Sequence, residues 1–204
     1  MTDRRGRLSH LKTMRVVAGK YGSRSLKTLR GMALRPTSDR LRETLFNILG
    51  ATVEDSLFVD VYAGTGAVGI EALSRGASEV IFIEKHPAAV TLIRENLASL
   101  EIESGFEILA KDALRGLEWL STRKLGGHVQ ADFFFVDPPY AEKEEYTKVL
   151  EFLDGSRLLA RHGIVMIEHA SRLALPERLI HLERTRLLEQ GDASLSFYRF
   201  ALAA

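Results

Sequence analysis

A run of four apolar residues, Phe133 to Val136, stops abruptly at the tetrapeptide Asp137-Pro138-Pro139-Tyr140. An unbroken apolar run of this kind is typical of a strand that is covered on both faces, as in the parallel sheets of α/β proteins. Proline donates no backbone hydrogen bond and restricts the residue before it, so the chain must leave the sheet here in a stiff, extended loop. A carboxylate, backbone carbonyls and an aromatic ring are therefore predicted at the sheet edge where open α/β proteins bind ligands.

Similar apolar segments alternate with helical patterns along the rest of the chain. Further parallel strands are predicted at 56–61, 79–83, 106–110 and 163–167, and an antiparallel pair at 184–189 and 194–200. Helical spacing predicts helices over 39–49, 86–100, 114–120 and 142–153, one that ends near Arg75, and a short one at 176–180. Glu168 and His169 are expected in the loop that follows the strand at 163–167. The alternation calls for an open, mostly parallel sheet with helices on both faces.

The glycine pattern Gly64-x-Gly66-x-x-Gly69 follows the first predicted strand and matches the dinucleotide fingerprint. In a dinucleotide site the next helix receives a pyrophosphate at its start, so a carboxylate nearby is unfavourable. Asp60 ends the strand directly ahead of these glycines. S-adenosylmethionine carries no phosphate, its ammonium and sulfonium groups are stabilised by an Asp, and the amides of Thr65 to Ala67 are suited to its carboxylate. The pattern favours S-adenosylmethionine, with a nicotinamide dehydrogenase as an alternative.

Two further acids follow the next two predicted strands. Glu84 is suited to accept hydrogen bonds from both ribose hydroxyls, and Asp112 to accept one from an adenine amino group. Together with Asp60 they make an ordered row of acids at successive strand ends. Such a row indicates a nucleoside-binding site far more specifically than any one of these acids alone. The predicted cofactor-binding residues are Asp60, Gly64, Thr65, Gly66, Glu84, Lys85, Asp112 and Ala113.

The tetrapeptide of residues 137–140 supplies the predicted catalytic part of the site. The lone pair of a base's exocyclic amine is delocalised into the ring, which makes the nitrogen a poor nucleophile. If the Asp137 carboxylate and the Pro138 carbonyl accept its two N–H bonds, the lone pair is directed at the methyl group. Pro139 keeps the loop stiff, and Tyr140 is suited to stack on a flipped or single-stranded base. The four residues Asp137, Pro138, Pro139 and Tyr140 are therefore the predicted catalytic set.

Positive charge is concentrated at the start of the chain. Residues 1–42 carry 12 Lys or Arg and two acids, whereas the whole chain has a net charge of only +1. A basic segment on an acidic body favours a polyanionic partner. Within residues 14–29, apolar and basic residues interleave between turn-forming glycines, which predicts a basic β-hairpin. The predicted RNA-binding residues are Arg15, Lys20, Arg24, Lys27, Arg35 and Arg40.

Several classes of protein are disfavoured by composition. The chain has no cysteine, which excludes disulfides and thiolate metal sites, and its six histidines show no metal-ligand spacing. No apolar run approaches the length of a membrane span, and no signal core follows the basic N-terminus. We therefore expect a cytoplasmic protein with no metal and no membrane partner.

The motifs together resemble a known family. The ordered set from Asp60 to Tyr140 resembles the class I S-adenosylmethionine-dependent amino-methyltransferases. The segments Met14-Arg-Val-Val-Ala-Gly-Lys20 and Arg35-Pro-Thr-Ser-Asp-Arg-Leu-Arg-Glu-Thr-Leu-Phe-Asn47 resemble the RsmD family of bacterial small-subunit rRNA guanine-N2 methyltransferases. The likeness covers roughly residues 14–200.

This resemblance implies a Rossmann-like fold and an activity. The expected sheet has seven strands and is mostly parallel, with an antiparallel last strand inserted beside the fifth. The expected reaction moves a methyl group from S-adenosylmethionine to the N2 amine of a guanine in 16S rRNA, within an assembling small subunit. We divide the chain into a basic extension with its hairpin (1–34) and a methyltransferase domain (35–204), and expect a monomer.

Two other functions stay open at this point. The same tetrapeptide suits a DNA adenine-N6 methyltransferase, although the chain shows no obvious added DNA-recognition domain. A non-catalytic rRNA-binding assembly factor could keep the fold without turnover.

Overall fold

The computed structural model describes residues 14–28, 39–122 and 130–201. These residues form a seven-stranded sheet in the order β3-β2-β1-β4-β5-β7-β6. The strands are β1 (Leu57–Val61), β2 (Glu79–Ile83), β3 (Phe106–Leu109), β4 (Ala131–Val136), β5 (Leu159–Ala170), β6 (Leu182–Gln190) and β7 (Ala193–Phe200). The helices are α1 (Asp39–Leu49), α2 (Ala67–Ser74), α3 (Pro87–Ser99), α4 (Ala113–Ser121) and α5 (Lys143–Gly155), with a 3₁₀ turn at Gly50–Val53.

Strands β1 to β5 pair in parallel, and β7 lies antiparallel between β5 and β6. The predicted fold class is confirmed, including the antiparallel last strand beside the fifth. The chain runs outward from β1 to β3 in one direction and from β4 to β5 in the other. The strand order therefore reverses between β1 and β4, which is where open α/β sheets bind ligands.

The side chains of the apolar run of β4 alternate between two hydrophobic cores, one on each face of the sheet, as the sequence predicted. Phe133 and Phe135 face one core with Phe58 of β1 and with α1, α2 and α3. Phe134 and Val136 face the other core with α4 and α5. The Phe58 ring lies 6.0 Å from the rings of both Phe46 and Phe133, centroid to centroid. Both faces of the sheet are thus covered.

The basic segment forms the predicted β-hairpin only in part. An isolated antiparallel bridge joins Arg15 to Ser25, and residues 14–28 contain no strand. Beside this bridge Val16 donates to the Arg24 carbonyl at 2.9 Å and Leu26 to the Met14 carbonyl at 2.8 Å, but several amides of the intervening loop bond to helix α2 instead. Val17 and Ala18 donate to the buried Glu71 carboxylate at 2.6 and 3.0 Å, and the Lys20 amide donates to the Ser74 carbonyl at 2.7 Å.

Two local predictions near the end of the chain are wrong. Residues 176–180 are not helical, and the Asp154 carboxylate accepts the amides of Ile180, His181 and Leu182 where the chain bends into β6. Glu168 and His169 lie inside β5, which continues to Ala170, and both are buried. Pairing with β7 extends this strand beyond the apolar run that predicted it.

None of the helices in the described ranges is long and apolar enough to cross a membrane.

Gly69, the last glycine of the motif, is required by packing between α2 and β2. A Cβ at this position would lie 2.3 Å from Phe82 Cε1 and 2.8 Å from Val80 Cγ1. We expect Gly69→Ala to lower the free energy of unfolding by about 1–3 kcal/mol, because overpacking forces ring and backbone shifts. Urea denaturation measures this change.

The matched control is Gly155→Ala, at the end of α5, where an added Cβ meets nothing within 4 Å. Alanine favours a helix, so this variant should be neutral or more stable by up to about 1 kcal/mol. Equal stability of the two variants would contradict the packing role of Gly69.

Candidate active site

A cavity of about 400 Å³ opens at the carboxyl ends of β1, β2 and β4. This volume lies within the range of small-molecule sites. Eight of the predicted site residues line it, namely Gly64, Glu84, Lys85, Ala113, Asp137, Pro138, Pro139 and Tyr140. The structure therefore brings half of the predicted cofactor-binding residues together with the whole predicted catalytic loop. Asp60, Thr65, Gly66 and Asp112 are not among the residues that line it.

The glycine-rich turn between β1 and α2 depends on left-handed backbone conformations. Gly64 and Gly66 have φ values of 54° and 77°. Such values are strained for most residues that carry a Cβ. The Gly66 amide donates to the Ala63 carbonyl at 2.7 Å, so it is used within the turn rather than for a ligand. The turn closes tightly and brings the Gly64 amide to Glu84.

Glu84 is the best-ordered acid of the cavity. It is buried, and its two carboxylate oxygens accept the amides of Gly64 at 2.8 Å and His86 at 2.7 Å. Each carboxylate oxygen has a second lone pair. Fixed oxygens with remaining acceptor capacity suit a pair of neighbouring hydroxyls, as on a ribose.

Asp60 forms a hydrogen bond within the protein. Its buried carboxylate accepts the Gly69 amide in the first turn of α2 at 2.9 Å. Gly66, at the N-cap, has no side chain to do this, so Asp60 reaches the helix from β1. Burial raises the pKa of Asp60 to about 7, with a further rise from the charge of Glu84, although the Gly69 hydrogen bond opposes the shift.

Asp112 is the N-cap of α4, a role that the sequence analysis missed. Its carboxylate accepts the Arg115 amide at 3.1 Å and lies 3.5 Å from the Arg115 guanidinium. An Asp three residues ahead of the donating amide is the usual N-cap spacing, so this signal was present in the sequence. Ala113, the next residue, lines the cavity. The role of Asp112 toward adenine stays a prediction.

The catalytic loop begins where β4 leaves the ladder. The Asp137 amide is 3.4 Å from the Val61 carbonyl, opposite the end of β1. The carbonyl of Pro138 accepts a hydrogen bond from the Tyr146 hydroxyl of α5 at 3.2 Å. Burial raises the pKa of Tyr146, and the nearby charges of Asp137, Tyr140 and Glu168 raise it further, so the hydroxyl stays a neutral donor.

Sequence reasoning also missed Tyr62, which lines the cavity between β1 and the glycine turn. Its φ is 66°, a strained value for a tyrosine. The hydroxyl donates to Glu145 of α5 at 3.0 Å, and burial followed by this bond raises the pKa of Tyr62. Lys111 and His86 line the cavity as well, and Lys85 lies 3.7 Å from Glu142 across it.

The described residues contain no group of three or more His, Asp or Glu placed to hold a metal ion.

Comparison with known proteins identifies the family. The model of the family described as Conserved hypothetical protein 95 matches residues 14–199. The chain belongs to this family. Ribosomal RNA small subunit methyltransferase D of Haemophilus influenzae is 36% identical over 187 residues, which cover 91% of this chain and 92% of that protein. The protein of the same name from Escherichia coli K12 is 31% identical over 163 residues, or 80% and 78% of the two chains.

Solved structures agree with this assignment. A hypothetical protein of Thermus thermophilus has a TM-score of 0.77 and 28% identity, and the match covers 92% of this chain and 99% of that one. The resemblance to the RsmD family, stated from sequence, is therefore confirmed.

In this member of the family, part of the basic segment makes contacts with helix α3 of the same chain. The Arg24 guanidinium donates to the carbonyls of Ser99 and Leu100 at the end of α3, at 2.6 and 3.4 Å. Lys27 pairs with Glu95 of α3 at 2.9 Å. Cations at a helix C-terminus stabilise it. These two predicted RNA-binding residues therefore hold the segment against the body of the protein.

The other predicted RNA-binding residues differ in their surroundings. Lys20 and Arg40 are exposed, and the Lys20 ammonium lies 5.1 Å from the Tyr21 ring centroid. Arg15 is 61% exposed and 3.8 Å from Asp39. Arg35 lies outside the described residues. The outward-facing positive charge in the described part of the segment is thus carried mainly by Arg15, Lys20 and Arg40.

The raised pKa of Asp60 predicts a pH dependence of stability. Its ordinary pKa is 3.8, and the folded value is about 7. The folded protein holds the proton more tightly, so this group's contribution to stability is full below about pH 4 and is lost as the pH rises to about 7. Asp60→Asn, whose amide oxygen can still accept the Gly69 amide, should remove that loss.

The measurement is denaturant unfolding of both proteins, without cofactor, at several pH values from 4 to 8. The difference in free energy should grow in favour of Asp60→Asn by a few kcal/mol as the pH rises. A constant difference across this range would show that Asp60 titrates normally.

Proposed function

We propose that this protein transfers a methyl group from S-adenosylmethionine to the exocyclic N2 amine of a guanine in small-subunit rRNA. One observation carries the proposal. The cavity at the switch point is lined both by Glu84, with two fixed carboxylate oxygens, and by the loop of residues 137–140. A nucleoside-binding acid and an amine-binding loop thus share one cavity, and relatives over most of the chain are named rRNA methyltransferases.

The residues of the cavity fit S-adenosylmethionine better than a dinucleotide. The first turn of α2 already receives the Asp60 carboxylate, where a dinucleotide site would receive a pyrophosphate. Glu84 lies close enough to Asp60 for its charge to raise the pKa of Asp60. Two acids beside the glycine turn favour a ligand with positive charge. Glu84 would hold the ribose, and Asp60 and the turn would hold the methionine end.

The catalytic loop acts by orientation. When bound, S-adenosylmethionine supplies a methyl group on a positively charged sulfur. The Asp137 carboxylate and the Pro138 carbonyl accept the two N–H bonds of the amine, so the nitrogen lone pair is directed at that methyl group. Tyr140 stacks on the base. The C–S bond breaks as the N–C bond forms, and the nitrogen then loses one proton to solvent.

No strong general base is required in this scheme. The amine becomes appreciably acidic only after it has taken the methyl group, so its proton leaves readily in the last step. Asp137 stabilises the positive charge that develops on the nitrogen during the transfer, which is an electrostatic role. Pro138 and Pro139 limit the loop's motion, and the acceptors are therefore in place before the base arrives.

The proposed substrate is rRNA in an assembling small subunit. Arg15, Lys20 and Arg40 would contact phosphates next to the guanine. Mass spectrometric mapping of rRNA from cells with and without the protein tests the reaction directly, and no loss of N2-methylguanine would overturn it. Methylation assays with naked rRNA and with small-subunit particles distinguish the two forms of substrate.

Asp137→Ala is expected to lower the rate of methyl transfer by at least about a hundredfold, because the amine loses one of its two acceptors. Binding of S-adenosylmethionine, measured by calorimetry, should be nearly unchanged. A non-catalytic assembly factor would instead keep its cellular role in this variant.

The control is Asp132→Ala on the same strand. Asp132 accepts the Leu57 amide at the far end of β4, at 2.9 Å. This variant should lose stability but retain methyl transfer in the folded fraction. Equal loss of activity in both variants would mean that the effect of Asp137→Ala is structural.

The double variant Lys20→Ala/Arg40→Ala should bind rRNA more weakly. The slope of log affinity against log salt should fall by about 0.7–0.9 for each phosphate that the variant no longer neutralises. Binding titrations at several salt concentrations measure it. Arg24→Ala is the control, because its guanidinium bonds to α3, and it should lower stability with little change in the salt slope.

A further inference from the structure

Helix α5 begins six residues after Asp137. Its N-cap and its first turn together make three contacts with residues that line the cavity. Glu142, just before the helix, lies 3.7 Å from Lys85. Glu145 accepts the Tyr62 hydroxyl at 3.0 Å. Tyr146 donates its hydroxyl to the Pro138 carbonyl at 3.2 Å. Residues from three different strand ends are thus connected to one helical turn.

The bond from Tyr146 is made to an atom of the proposed reaction. The Pro138 carbonyl is one of the two groups expected to accept the amine's N–H bonds. Prolines 138 and 139 have no N–H with which the loop could fix this carbonyl from its own backbone. A backbone carbonyl has two lone pairs, so a hydrogen bond from Tyr146 orients the oxygen and leaves one lone pair for the substrate.

We propose that Tyr146 is a positioning residue for methyl transfer, which acts by fixing the direction of the Pro138 carbonyl. The inference rests on the proposed function and adds to it a residue outside the catalytic loop. Tyr146 is 1% exposed and packs in the core with Val149, Leu150 and Leu153 of the same helix. Its hydroxyl is therefore held by a rigid element, and a small rotation of the carbonyl is prevented before substrate binds.

Loss of the Tyr146 hydroxyl should affect the chemical step and not binding. Without the hydroxyl, the carbonyl can turn and the amine binds in a wider range of orientations. The lone pair then points at the methyl group for a smaller fraction of the time, and the rate falls although the cofactor and the RNA still bind. A residue that only stabilises the fold would not separate rate from binding in this way.

The chain contains a matched control for this residue. Tyr198 of β7 is fully buried in the same core, and its hydroxyl donates to the carbonyl of another proline, Pro176, at 2.7 Å. Pro176 is not among the residues that line the active-site cavity. Tyr198→Phe therefore removes the same hydroxyl and the same type of hydrogen bond away from the site.

The experiment compares Tyr146→Phe and Tyr198→Phe with the wild-type protein in single-turnover methylation of small-subunit rRNA. Tyr146→Phe is expected to lower the methyl-transfer rate by about tenfold to a hundredfold. The dissociation constants for S-adenosylmethionine, by calorimetry, and for rRNA should each change by less than about twofold. Tyr198→Phe should transfer methyl groups at nearly the wild-type rate, and urea denaturation should show that both variants are folded.

The inference would be overturned if the two variants had equal rates. It would also be overturned if the loss in Tyr146→Phe lay wholly in cofactor or RNA binding. The proposed function would stand in both cases. A wild-type protein that binds S-adenosylmethionine but methylates no rRNA would overturn the proposed function, and the role of Tyr146 with it.

Discussion

The parallel pairing of β1 with β4 is the constraint on which the site depends. Val61 lies opposite Val136 at the end of this ladder, so the two strands stop at the same level. The chain then leaves β1 into the glycine turn and leaves β4 into the proline loop. Because the strand order reverses between these strands, their loops diverge to opposite sides and leave a crevice between them. The proposed cofactor site and the proposed amine site are brought together by this one register.

The acids at the strand ends accept hydrogen bonds from backbone amides of the protein. Asp60 accepts the Gly69 amide, Glu84 accepts two amides, and Asp112 caps α4. Away from the cavity, Glu71 and Asp154 do the same for the basic segment and the start of β6. A carboxylate held by backbone donors has a fixed position. These acids in and beside the cavity are therefore ordered by the fold itself, and a ligand does not bear the entropy cost of ordering them.

Sequence could predict the parts of this site that depend on local rules. The apolar run Phe133–Val136, the prolines after it and the glycine turn each indicated the local structure that is observed. Sequence could not predict how short the β-hairpin is, because Glu71 lies more than 50 residues from the amides that it accepts. Tyr146 was missed for a related reason. Its apolar neighbours on α5 mark it as a core residue, and only the folded chain shows that its hydroxyl meets the Pro138 carbonyl.

The basic segment and the glycine turn are connected through one buried side chain. Asn96 of α3 is fully buried, and its amide accepts from the Lys27 backbone at 2.8 Å and donates to the carbonyls of Lys27 and Thr65 at 3.2 and 3.0 Å. A buried amide with so many partners is costly to disrupt. The segment that carries the outward-facing positive charge therefore cannot move without disturbing the turn at the cofactor site. The surface proposed to bind rRNA and the turn proposed to bind S-adenosylmethionine are thus linked through one buried amide.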